Sequence, residues 1–133
     1  MATVYEISVA SSRKEELIDI TPQVRGLVSK SGARDGLCAV HAMHTTAGIL
    51  VNENFDPALK EDILDFLGRQ APKGAWRHDL EDNNAAAHLK SMLIGQSQAV
   101  PIKDGKLMLG TWQGICLADF DGPRMRKVAV SIL

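Results

Sequence analysis

The sequence predicts an α+β fold, with two or three helices set among seven or so short strands and a mainly antiparallel sheet. Three observations carry this. Two helix starts are written as a capping residue followed by proline, at Thr21-Pro22 and Asp56-Pro57. From Gln98 onward the chain becomes a series of β-type runs parted by Asp104-Gly105 and Asp121-Gly122-Pro123, both turn-formers. Strands and helices do not alternate regularly, which disfavours a doubly wound parallel sheet. The 133 residues suit one domain, residues 1–133, and 45% hydrophobic content suffices for a core.

Thr3 to Val9 alternates, with Val4, Glu6 and Ser8 against Tyr5, Ile7 and Val9, the pattern of a half-buried strand. Ser11 to Lys14 makes a turn, and Glu16 to Ile20 is a second short strand. A helix capped by Thr21 follows, carrying Val24, Leu27 and Val28 at helical spacing and ending at Ser31-Gly32. Leu37 to Met43 and Gly48 to Val51 are strand candidates. Behind Asp56-Pro57, Leu59, Ile63, Phe66 and Leu67 fall on one helical face, and Asp62 lies close to that face. Gly68 to Trp76 reads as a loop. Asp82-Asn83-Asn84 caps a third helix, whose stripe is Ala85, Leu89, Met92 and Leu93. Ala99 to Ile102, Lys106 to Leu109, Gly114 to Phe120 and Met125 to Leu133 are the late strands, with Met108 and Leu117 as core residues.

Composition excludes some classes. Formal net charge is -1, from 15 basic and 16 acidic residues, so nothing argues for nucleic acid as a partner. No charged-then-apolar leader and no apolar run near ~18 residues is present, so neither export nor a membrane span is expected. Cys38 and Cys116 sit inside apolar runs and read as buried, reduced thiols of a cytoplasmic protein.

The chemistry-bearing stretch is Met43 to Pro57, where His44-Thr45-Thr46-Ala47-Gly48 and Asn52-Glu53-Asn54 interrupt two apolar runs. Such groups are costly to desolvate unless they pair with each other or with a ligand. His44 is the expected site histidine and His41 a structural one. His78, in Trp76-Arg77-His78-Asp79, and His88, on the third helix, are near Asp82, Asn83 and Asn84. The residues alone leave open whether His44, His78 and His88 share a site or His88 is a core histidine. Three neutral imidazoles would suit Zn²⁺ or a similar ion; partly protonated, they would bind phosphate instead. Glu53 is placed for a general base or an orienter, and Asp56 for a helix cap. Thr45, Thr46 and Gly48 can offer hydroxyls and backbone N–H groups to an anion. Trp112 is either core or site, Gln113 needs a partner, and Arg124 either grips a phosphate or carboxylate or is a solvated turn residue.

With these residues in view, the chain resembles the YjbQ-like family, an uncharacterised protein family linked to a secondary thiamine-phosphate synthase activity. The matching stretches are HTTAGILVNEN at 44–54 with Asp56-Pro57, Trp76-Arg77-His78, DNNAAAHLKSMLIG at 82–95, VPIKDGKLMLGTWQGI at 100–115 and DGPRMRKVAV at 121–130. The resemblance implies an α+β fold with a β-sandwich-like core, assembled as a homotrimer with sites near subunit contacts. It implies that His44, His78 and His88 converge, with Glu53, Asn84, Gln113 and Arg124 as neighbours. It also implies a weak activity that joins a pyrimidine pyrophosphate to a thiazole phosphate. One departure is Trp76, where a Tyr is expected two positions before the second histidine.

Catalytic roles therefore fall to His44, His78, His88, Glu53 and Arg124, and substrate binding to Thr45, Thr46, Asn84, Trp112, Gln113 and Arg124. A divalent metal, Zn or Mg, would sit on the three histidines, although Mg²⁺ with pyrophosphate prefers oxygen ligands. The expected partner is a phosphorylated small molecule. Three classes remain to be separated: a transferase or metal-assisted hydrolase, a non-catalytic binder of a metal or anionic metabolite, and a structural oligomer.

Overall fold

The computed structural model describes residues 2–133. The described chain runs β1 (Thr3–Ala10), β2 (Glu16–Asp19), α1 (Thr21–Ser31), β3 (Gly36–Ala42), β4 (Ala47–Glu53) and α2 (Pro57–Gln70). A short 3-10 turn (Arg77–Leu80) leads to α3 (Ala85–Ile94), followed by β5 (Ser97–Lys103), β6 (Lys106–Leu107), β7 (Gln113–Asp119) and β8 (Met125–Ile132). The strands form a five-stranded sheet, β1-β8-β3-β5-β6, and a three-stranded sheet, β2-β7-β4, with every described pairing antiparallel. The fold is α+β, as the sequence predicts.

Two apolar layers explain this architecture. Val40, Val100, Val128 and Val130 of the large sheet meet Ala47, Ile49, Ile115 and Leu117 of the small one, with Val24 and Val28 of α1 joining them. On the small sheet's other face, Cys116 and Ala118 pack with Leu17, Leu67, Ala87 and Phe120. Strand β7 is thus buried on both sides, and so reads as an unbroken apolar run from Ile115 to Ala118. Strand β8 instead alternates, burying Arg126, Val128, Val130 and Ile132.

The structure corrects several expectations. Thr21 is not the cap of α1: Asp19 Oδ1 accepts from Thr21 N, while the Thr21 hydroxyl receives the Ile115 N–H at 2.8 Å. Asn84 caps α3 in position only, since Asp79 Oδ1 accepts from Ala85 N and the Asn84 amide is used elsewhere. Helix α2 continues through Gly68 to Gln70, closed by the Ala71 N–H on Leu67 O. Strand β6 stops at Leu107, where the chain turns away, and Met108 is exposed. Asp62 is exposed as well, on the rim of an apolar groove between α2 and α3. Helix α3 buries Ala85, Ala86, Ala87, Lys90 and Ser91, while Met92 and Leu93 face outward. Apart from Lys90, which is paired with Glu15, that face is made of small residues, and the helix end lies against β4: Gly95 O accepts the Ile49 N–H at 2.9 Å, and a Cβ on Gly48 would stand 2.7 Å from the same oxygen. Asp56 does cap α2, accepting from Ala58 N. Both cysteines are buried and free, and burial pushes each thiol up to about 11. No described helix is long and apolar enough to cross a membrane.

Candidate functional site

The site is built on a charge pair in the core. Asp119 ends the apolar run of β7 and is fully buried; Arg126, in phase with the valines of β8, is 2% exposed. The guanidinium donates from Nε to Asp119 Oδ2 at 3.0 Å and from Nη2 to Oδ1 at 2.7 Å. Nη2 also donates to Thr46 Oγ1 at 2.8 Å. Burial pushes the Asp119 carboxyl up, but hydrogen bonds from Arg126, Ser11 and the Asp121 N–H, with the Arg126 charge, outweigh it and hold it below the usual range. The remaining amino group, Nη1, has no partner among the described residues.

Above this floor lies a polar cleft of about 690 Å³, where His44, Thr45, Thr46, Asn84, His88 and Arg124 meet Asp82, Asp121 and Arg126. The Asp121 loop is strapped from both sides. Lys14 Nζ and Asn84 Nδ2 donate to its carboxylate, and Arg124 donates from Nε to Asp121 O at 3.0 Å. Gly122 lets the strap close, since a Cβ there would stand 2.3 Å from Arg13 O. These bonds and the charges of Lys14 and Arg124 overcome burial and keep Asp121 ionised below the usual range. Asn84 Oδ1 is buried with no hydrogen-bond partner among the described residues, which costs roughly 1–3 kcal/mol unless a ligand donates to it.

His44 follows β3 and reaches across to β8, where its Nε2 accepts the Lys127 N–H at 2.8 Å. Burial lowers its pKa first, and the charges of Arg126, Arg124 and Lys127 add to this against Asp119. His88 lines the same cleft. Its ring also meets His78 edge-on, with centroids 4.9 Å apart, and the two line an apolar pocket of about 270 Å³ with Trp76, Ala85 and Leu89. His78 thus touches His88 but does not line the polar cleft with His44. Among the described residues, no three His, Cys, Asp or Glu side chains stand close enough to hold a metal ion. With His44 Nε2 already taken, the three-imidazole set does not fit Zn²⁺ or Mg²⁺ as arranged. His41 is exposed and bonds Ser97 Oγ, away from the cleft.

Glu53, Trp112 and Gln113 lie elsewhere. Glu53 pairs with Gln113 at the far ends of β4 and β7, whereas Ala47 pairs with Asp119 at the near ends; about six residues of extended strand, roughly 20 Å, separate the two. Glu53 Oε2 accepts the Phe55 and Asp56 N–H groups, and Gln113 Oε1 accepts the Gly110 N–H. Trp112 is 58% exposed and meets Phe55 edge-on. Sequence reasoning missed Arg126 and Asp119 and read Asp121 only as part of a turn. The signal for the first two was present: a charge in phase with the valines of one strand, and a carboxylate ending an apolar run.

A family model described as "UPF0047 protein YjbQ-like" matches residues 5–133. The chain is 46% identical over 130 residues to a UPF0047 protein of Methanocaldococcus jannaschii, covering 98% of this chain and 94% of the relative. It is 39% identical over 130 residues to UPF0047 protein YugU of Bacillus subtilis, covering 96% of each. Its fold is similar to the crystal structure of a YbjQ-like protein of unknown function from Sulfolobus solfataricus, with TM-score 0.96, 40% identity and coverage of 99% and 96%. It is also similar to that of an uncharacterized conserved protein from Clostridium acetobutylicum, with TM-score 0.93, 48% identity and coverage of 97% and 99%.

Proposed function

The chain belongs to the UPF0047 protein YjbQ-like family, and from that premise we propose that its polar cleft binds a phosphorylated small molecule and turns it over by displacing pyrophosphate from carbon. The reaction is the one the resemblance implies: the thiazole nitrogen of a thiazole phosphate forms a bond to the methylene carbon of a pyrimidine pyrophosphate, that carbon's bond to oxygen breaks, and pyrophosphate leaves. One observation supports an anion here above all others. Arg126 is buried and clamped by Asp119, yet it lines the cleft beside Arg124, His44 and His88. A guanidinium fixed in advance needs no reorganisation when charge develops on a leaving pyrophosphate. Arg124, 59% exposed, holds Asp121 through Nε and Nη2 and adds a second positive charge at the cleft's surface. His88, at the junction of the polar cleft and the apolar pocket, is placed to hold or donate a proton at the leaving group. Asn84 Oδ1 accepts from a ligand hydroxyl or amine. The homotrimer that the resemblance implies, with sites near subunit contacts, belongs to the same reading.

Incubating the purified protein with the pyrimidine pyrophosphate and the thiazole phosphate is expected to release pyrophosphate. His88→Ala is expected to lower turnover by about a hundredfold while leaving inorganic phosphate binding within a few-fold. Full turnover in that variant removes His88 from the chemistry. Absence of turnover with intact phosphate binding in the wild type makes the cleft a binder.

A further inference from the structure

The contact between His44 and β8 fixes where the imidazole proton lies. The Lys127 backbone N–H stands 2.8 Å from His44 Nε2. A backbone N–H only donates, so Nε2 presents its lone pair, and the single proton of the neutral ring lies on Nδ1. That Nδ1–H has no partner among the described residues, and His44 lines the cleft with Arg124, Arg126 and Asn84. A metal at Nε2 would have to break the bond to Lys127. A metal at Nδ1 would have to strip the last proton from a neutral imidazole. Neither route is open while the strand contact stands.

We infer that His44 is a neutral hydrogen-bond donor, presenting Nδ1–H to a tetrahedral oxyanion in the cleft, and is not a metal ligand. The inference rests on the anion reading of the cleft and adds the way the anion is held. Arg126 brings a buried charge, Arg124 an exposed one held by Asp121, and His44 a directional donor that adds no charge. His44 is therefore a binding residue, and proton transfer is left to His88.

The test uses the wild-type chain labelled with ¹⁵N. Two-bond ¹H–¹⁵N correlation spectra report the tautomer of each histidine, first without ligand and then with inorganic phosphate or with Zn²⁺ alone. The expected result is a neutral His44 protonated at Nδ1, displaced by phosphate and unmoved by stoichiometric Zn²⁺. An Nε2-protonated ring, or a His44 signal that shifts on adding Zn²⁺, overturns the inference. Two variants then test the donor itself. In His44→Asn the amide nitrogen stands in for Nδ1, and phosphate affinity is expected to stay within a few-fold of wild type. In His44→Gln the amide reaches the Nε2 position instead, and affinity is expected to fall about tenfold or more. Equal losses in the two variants, with both folded by circular dichroism, count against the donor role. A wild-type protein with the expected tautomer that binds no phosphate removes the anion reading and leaves the metal exclusion standing.

Discussion

The two ends of the three-stranded sheet carry similar polar residues and use them in opposite ways. At the Gln113 end the two groups that the sequence singled out are satisfied by their own turns: Gln113 by Gly110 three residues away, Glu53 by Asp56 three residues on. At the Asp119 end the partners are distant in sequence. Thr46 meets Arg126 across 80 residues, Lys14 meets Asp121 across 107, and Asn84 meets Asp121 across 37. Local partners hold a turn and leave nothing over for a ligand. Long-range partners bring groups from separate segments to one cleft, and some of their atoms, Asn84 Oδ1 and Arg126 Nη1, are left for something else to fill.

The sharpest way to break this comparison is to remove one half of the buried pair. Asp119→Ala leaves the Arg126 guanidinium buried without its counter-ion, a change that costs about 3–5 kcal/mol. Urea denaturation should show that loss. Replacing both partners together, Asp119→Ala with Arg126→Met, should cost clearly less than Asp119→Ala alone, because no charge is stranded. A single substitution costing under about 1 kcal/mol would mean that water reaches the pair and that the floor of the cleft is not preorganised.

The contrast between the two ends also explains what could be read from the sequence. Alternation in β1, the β-type runs after Gln98, the Asp56-Pro57 cap and the Asp-Gly turns are encoded within a few residues, and the fold class follows from them. The cleft is not encoded that way. His44, Thr45 and Thr46 stood out as polar residues between apolar runs, but Lys127 N–H, the partner that sets the His44 tautomer, is 83 residues away. Glu53 and Gln113 stood out for the same reason and turned out to hold local turns. On α3, helical spacing singled out Met92 and Leu93, whereas the alanine face is buried. Close approach to β4 selects for small side chains, and hydrophobic periodicity does not register that demand.

The pH dependence of stability sharpens the comparison at a smaller scale. Asp119 and Asp121 have folded pKa values held below the ordinary one, so their contribution is present above about pH 4 and is lost as pH falls through the folded values. Asp19, at the far end, is also lowered: burial raises it, but hydrogen bonds from Thr21 and Asn54 and the charge of Lys60 outweigh that. The acid window is therefore shared by both ends and does not separate them. His44 does. Its folded pKa is depressed, so below about pH 6.5 the unfolded chain takes up a proton that the folded chain refuses, and stability falls with falling pH. Urea midpoints measured from pH 8 to pH 5 should decline in the wild type and stay flatter in His44→Asn. Identical slopes would mean that the His44 ring is open to water.

The smallest effect is expected at the far end, and it discriminates most finely. Gln113→Ala removes one exposed acceptor for the Gly110 N–H, worth about 0.5–1.5 kcal/mol. In an isolated chain the cleft lies roughly 20 Å away, so phosphate affinity should not move. Trp112→Ala, at a side chain that is 58% exposed, should leave stability almost unchanged. If either variant weakens phosphate binding while the urea midpoint moves by no more than this, the far end of one copy reaches the cleft of another. Dilution would then weaken binding in step with dissociation of the proposed assembly. If both variants bind phosphate as the wild type does at every concentration, the two ends are independent, and Glu53, Trp112 and Gln113 hold their own turns and nothing more.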